Sequence, residues 1–143
     1  MESSTQLTFR SKCPASCALD ILGDKWSLLV IRDMIYFKKR TFNEFLKSNE
    51  KIATNILASR LKKLEEFGLI SKSNDQKNKK VNIYKLTATG LDIIPTLIEL
   101  TMWSIKNVEK TEVVKSISSE YLEDRDKLIS NMKSDYLTSL NNI

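Results

Sequence analysis

Nineteen consecutive residues constrain this chain more than any others: Ile52 to Ile70, IATNILASRLKKLEEFGLI. Leu57, Leu61 and Leu64 recur at helical spacing on one side, with Ile52 and Phe67 flanking them. Gly68 follows where a helix ends in a left-handed cap, and Leu69-Ile70 then read as the start of a strand. At about 100° per residue, Asn55, Ser59, Lys62 and Glu66 fall opposite the leucines, with Thr54 at the leading end. That outer face is short, polar and hydrogen-bond capable near the N-terminus, and it becomes basic one turn later. Two readings fit it: an ordinary surface helix, or a helix entering a DNA major groove end-first.

The flanking segments weigh on that choice. Cys13-Pro14 begins a short helix, with proline at the favoured first position and Cys13 at the N-cap. Cys17, Ala18, Ile21 and Leu22 give it one apolar side. Gly23 breaks it, and Asp24 caps the next helix, Lys25 to about Phe37. That segment is apolar over most of its surface and is expected at the centre of the core, with Trp26 as an anchor. Lys38-Lys39-Arg40 forms a basic loop, either a solvated turn or a grip on phosphate. Thr41-Phe42-Asn43-Glu44 has the T-x-x-E form of a capping box and starts a short helix to about Lys47. SNEK then turns the chain into the Ile52–Phe67 helix, which makes the pair a helix-turn-helix.

After Gly68 the pattern changes. Leu69–Asn74 and Val81–Leu86 read as two strands joined by DQKNKK, whose Lys77, Lys79 and Lys80 lie at the tip. A hairpin behind a helix-turn-helix is a winged helix, and a lysine-rich tip suits phosphate or minor-groove contact. Thr87 is placed to cap a long helix to about Lys110, with a kink expected at Pro95. From about Ser118 a further helix carries Tyr121, Leu128, Met132, Tyr136 and Leu140 as a stripe suited to pack on the long helix or a second subunit. The fold class expected is mainly α with a small β-hairpin wing and long C-terminal helices.

Composition excludes most chemistry. The 143 residues suit one domain and include no histidine. Without it there is no Ser-His or Cys-His nucleophilic pair, no imidazole base and no His-containing zinc site. Two cysteines spaced C-x3-C cannot supply a four-thiolate site, no glycine-rich phosphate loop appears, and nothing groups the carboxylates. An enzyme is not expected, nor a metal, nor a cofactor. No apolar run approaches the roughly 20 residues that span a bilayer. The opening MESSTQLTFRSKC lacks a basic-then-apolar leader pattern, so a cytoplasmic location and no membrane partner are expected. Residues 1–87 hold 17 Lys/Arg against 9 Asp/Glu, a net of +8, whereas residues 88–143 hold 6 against 9, a net of −3. A basic front joined to an acidic rear fits a polyanion-binding part carried by an assembly part.

Several linked segments point further. They are Cys13-Pro14, Leu22-Gly23-Asp24-Lys25-Trp26-Ser27-Leu28-Leu29, Arg32-Asp33 and Arg40-Thr41-Phe42-Asn43-Glu44-Phe45. They continue through Ile52-Ala53-Thr54-Asn55-Ile56-Leu57, Arg60-Leu61, Leu64-Glu65, Gly68-Leu69-Ile70 and Tyr84-Lys85-Leu86-Thr87 with Gly90. In order and residues this set, over about 13–104, resembles the HxlR-type winged helix-turn-helix transcriptional regulators, a branch close to the MarR regulators. Residues 1–12, polar with isolated Leu7 and Phe9, read as an N-terminal arm able to pack on a neighbour. The resemblance covers 13–104 as the winged-helix domain, and 105–143, longer than the family minimum, is a helical extension for dimerisation or packing. The resemblance also implies a homodimer, through the arm and the long helix behind the wing, that reads a near-palindromic double-stranded DNA operator. Two departures stand out. Ala53-Thr54 replaces the Ser-Pro of many relatives and weakens the helix cap, and the wing is lysine-rich where theirs is often proline-rich.

Side-chain chemistry assigns the roles expected. Thr54, Asn55 and Ser59 reach base edges, Asn being matched to the N6/N7 edge of adenine. Lys62, Lys77, Lys79 and Lys80 meet phosphates, and Arg40, at the end of the basic loop, is grouped with them. Arg60, on the flank of the helix, grips phosphate or braces the helix. At a helix N-terminus the peptide dipoles favour a thiolate at Cys13, and Lys12 adds positive charge. The resemblance implies that Cys13 is a redox or electrophile switch, since some relatives sense oxidants and quinones there. Cys17 is most simply a buried core thiol, the alternative being a resolving partner. Two other readings stay open: a regulator answering an aromatic effector held near Trp103, and a winged helix used for protein–protein assembly, which calls for an apolar or acidic outer face on the 53–67 helix.

Overall fold

The computed structural model describes residues 8–109, 111 and 115–142. The chain runs α1 (Pro14–Leu22), α2 (Ser27–Tyr36), α3 (Phe42–Phe45), α4 (Thr54–Glu66), β1 (Ile70–Asn74), β2 (Asn82–Leu86), α5 (Ala88–Leu91), α6 (Ile94–Asn107), α7 (Lys115–Glu123) and α8 (Arg125–Ser139), then a 3-10 turn, Leu140–Asn142. It is mainly helical with one antiparallel hairpin, as the sequence pattern implies.

Local signals account for most boundaries. Pro14 lies in the first turn of α1, where its missing N–H leaves no gap. Thr41 and Glu44 form the reciprocal capping box, the Thr41 hydroxyl accepting from the Glu44 amide. Gly68 adopts φ 77°, the left-handed conformation that ends α4 and aims the chain into β1. The hairpin register pairs Ile70 with Leu86 and Asn74 with Asn82. Thr87 caps α5, accepting from the Gly90 amide.

The core gathers around α2, as its apolar character predicts. Ile31 and Met34 of α2, Leu57 and Leu64 of α4, Ile70 of β1, and Ile94 and Ile98 of α6 are all 2% exposed or less. Trp26 is half-buried against this core, with the Lys25 ammonium 5.1 Å from its ring centroid. Helices α7 and α8 pack on each other and on α6, and they bring Leu128 and Tyr136 into the same core.

Three expectations need correction. The single kinked helix after Thr87 is two helices, because the chain turns at Asp92-Ile93 and Pro95 starts α6 instead of interrupting it. The turn follows from a close approach: a Cβ on Gly90 would lie 2.1 Å from the Leu69 carbonyl oxygen, so α5 lies hard against the start of the hairpin. The last helix is also divided, at Asp124, whose carboxylate accepts from the Lys127 amide and caps α8. Helix α1 buries no residue fully; Cys17 is half-exposed, its thiol donating to the Ser11 carbonyl at 3.3 Å. The described part of the arm runs beside α1 and α4, with the Phe9 ring 6.2 Å from Phe67 and Arg10 paired with Asp20. Leu7 of that arm falls outside the described residues.

Candidate nucleic-acid interface

Helix α4 divides cleanly between its two sides. Leu57, Leu61 and Leu64 are at most 2% exposed, while Thr54, Asn55, Ser59 and Lys62 all lie open to solvent. Its first turn has no side-chain cap, since Ala53 occupies the N-cap, so the leading amides face outward beside Thr54 and Asn55. Lys62 is 79% exposed and lies 4.0 Å from Glu66, a surface pair of small energetic consequence.

Two ionic clusters hold that helix in place, and the second has two centres, Arg32 and Asp33. Arg60 donates from Nε to Asp24 at 2.8 Å and from Nη1 to the Ser59 hydroxyl at 3.3 Å, so it braces the helix. Asp24 also accepts from the Trp26 and Ser27 amides and the Ser27 hydroxyl. Burial alone would raise the Asp24 carboxyl, but the Ser27 and Trp26 hydrogen bonds and the Arg60 charge together hold it below its ordinary value. It therefore stays ionised and links the start of α2 to the middle of α4. A second cluster fixes the turn between α3 and α4. Arg32 spans Asp33 and Glu50, with Nη1 to Glu50 at 2.6 Å, and its hydrogen bond holds the Glu50 carboxyl down to about 2. Its other centre is Asp33, 2% exposed, which receives Arg32, Lys39 at 3.2 Å and the Ser48 hydroxyl.

The basic loop is tied to its surroundings. Lys38 donates to the Ile35 carbonyl at 2.5 Å and Lys39 to Asp33, so neither is simply solvated. Arg40, grouped above with the phosphate-gripping cations, is turned inward: Nη2 donates to the Ser139 carbonyl at 2.5 Å, and Nε is buried. The reason is the tail, which folds back over this loop. By contrast Lys77, Lys79 and Lys80 project from the wing tip and make no ion pair among the described residues. Their loop is shaped by its own side chains, with Asp75 accepting from the Lys77 amide and Asn78 from the Lys80 amide.

Lys72, exposed on β1, extends the basic surface of the wing and was not singled out from sequence. Its only sequence signal is its place in the strand expected over Leu69–Asn74. Cys13 is an exposed free thiol at the N-cap of α1. Trp103 is 61% and Leu100 48% exposed on α6, away from the core. Among the described residues no cluster of metal-ligating side chains occurs, and no helix is long and apolar enough to cross a membrane.

This arrangement recurs in known proteins. Residues 21–112 match the family described as HxlR-like helix-turn-helix. The chain is 31% identical over 104 residues to the HTH-type transcriptional regulator YdeP of Bacillus subtilis, covering 73% of this chain and 80% of that one. Among solved structures it is similar to PA1607, with a TM-score of 0.65 and 32% identity over 73% of each chain. The redox regulator HypR in its oxidised form superimposes with a TM-score of 0.59 and 26% identity, over 71% of this chain and 100% of that one. A polar helix face held out by a leucine-lined back, a lysine-tipped hairpin beside it and these relatives agree: the chain belongs to the HxlR-like helix-turn-helix family and is a transcriptional regulator with a helix-turn-helix DNA-binding fold.

Proposed function

We propose that this regulator binds a near-palindromic operator as a homodimer, with α4 as the reading helix of each half-site. The observation that carries this reading is the division of α4: its leucine side is locked in the core, and Thr54, Asn55 and Ser59 are all exposed on the other. Those three reach base edges. Lys62, Lys77, Lys79 and Lys80 contact phosphate, and Arg60 braces the helix through Asp24. The acidic or apolar outer face that a protein-assembly winged helix calls for is not the one α4 carries. Exposed Leu100 and Trp103 on α6 suit the dimer contact.

Selection of bound fragments from the parent genome supplies the operator. On it, Asn55→Ala is expected to lose about 1–3 kcal/mol of discrimination at one base position. Lys79→Ala is expected to weaken all sequences equally and to reduce the salt slope by about 1. An Asn55→Ala protein with unchanged affinity and preference rules out this reading face.

The signal proposed is oxidation or electrophile modification of Cys13. Its support is the exposed thiol at the start of α1, and the likeness to HypR, which is a redox regulator. Diamide or a quinone is expected to change operator binding by the wild type and to leave Cys13→Ser unaffected. Unchanged binding by a protein whose Cys13 is verifiably modified rejects the switch.

A further inference from the structure

The family match ends at residue 112, and α7 and α8 lie beyond it. Helix α8 packs on α6 and α7, and through Tyr136 it also reaches the base of the wing. A two-stranded hairpin is marginal by itself, and the outer edge of β2 carries amides that need partners. Both of those identified are met from outside the sheet: the Tyr84 amide donates to the Arg40 carbonyl at 2.8 Å, and the Leu86 amide to the Tyr136 hydroxyl at 2.8 Å. Tyr136 is 1% exposed, so that hydroxyl is fixed by packing. One helical turn later the Ser139 carbonyl takes the Arg40 guanidinium, and Leu140 lines a groove with Ile83 and Lys85. The far end of the same helix is fastened to α6, where Glu99 receives Arg125 at 2.6 Å, and α7 adds the Tyr121 hydroxyl to the same carboxylate at 3.1 Å.

We infer that the C-terminal helices are a built-in brace for the wing, and that Tyr136 is the positioning residue that sets where the wing lysines lie relative to α4. This rests on the phosphate-contacting role proposed for those lysines. The wing is a lever: its five-residue strands place the tip about 17 Å from the Tyr136 contact, so a 10° swing at the base displaces Lys79 by about 3 Å. A displacement of that size breaks a direct phosphate contact and leaves base reading by α4 in place.

The test uses the full chain with Tyr136→Phe, and Leu140→Ala as a milder variant at a half-buried position that loosens the same end. Amide hydrogen exchange is expected to accelerate at Leu86 by at least about tenfold, with Leu57 and Leu61 of α4 unchanged. Binding to a genome-selected DNA fragment is then measured with and without Lys79→Ala. In the otherwise wild-type chain that substitution is expected to cost about fivefold in affinity, and in the Tyr136→Phe chain less than about twofold. Simple loss of folded protein would lower both affinities together and keep the fivefold ratio. Unchanged Leu86 exchange, or a Lys79 penalty equal in the two backgrounds, overturns the brace and leaves the DNA-binding reading standing. A Lys79→Ala change without effect in the otherwise wild-type chain overturns the wing assignment itself, and the positioning role of Tyr136 with it.

Discussion

Asp33→Ala is expected to destabilise the protein by about 3–5 kcal/mol in urea unfolding, the cost of removing one partner from a buried ionic cluster. Asp33 is 2% exposed and accepts from Arg32 at 2.7 Å, from Lys39 at 3.2 Å and from Ser48. Its loss leaves two cations whose side chains are 23% and 17% exposed facing a void that had held their counter-charge. Arg32 keeps Glu50 as a partner, so the loss should fall toward the lower end of that range. Ser48 and Glu50 belong to the turn that aims α4, and operator binding should weaken at temperatures where the variant is still folded. A loss below about 1 kcal/mol would mean that Arg32 and Lys39 rehydrate freely and that the cluster is not structural.

Leu57→Ala is expected to cost about 2–5 kcal/mol, the range for deleting a fully buried leucine side chain and leaving a cavity. Leu57 has no exposed surface and lies on the first turns of α4. The informative comparison is with Asn55→Ala, two residues earlier and solvent-exposed, where stability should change by no more than about 0.5 kcal/mol. Chemical denaturation and operator titration of the pair should therefore separate: one variant fails in folding, the other in base preference. Equal stability losses at the two positions would contradict the division of α4 into a buried and a reading side.

Much of the fold was legible because its signals are short-range. The Thr41–Glu44 capping box, the proline at the start of α1, the left-handed Gly68 and the alternation in β2 each depend on partners within a few residues. The leucine spacing of α4 likewise set which side would be buried before any neighbour was known. Asp24 was legible as a cap, but its second partner, Arg60, lies 36 residues away and left no mark in the spacing. Asp124 carries the same local cap signal, set inside the apolar stripe that runs from Tyr121 to Leu140.

The sequence by itself determined the winged helix-turn-helix, its basic front and its outward polar helix face, because helix period, strand alternation and capping are properties of adjacent residues. Only the tertiary structure decided which cations remain free. Arg40, alike in type to the wing lysines, is taken up by a carbonyl 99 residues later, whereas Lys77, Lys79 and Lys80 stay in solvent. It also decided that the tail covers the wing's edge: the Leu86 amide finds its acceptor in Tyr136, 50 residues along the chain. Both outcomes follow from the need of buried polar groups for partners, which packing brings from any distance and which no local pattern records.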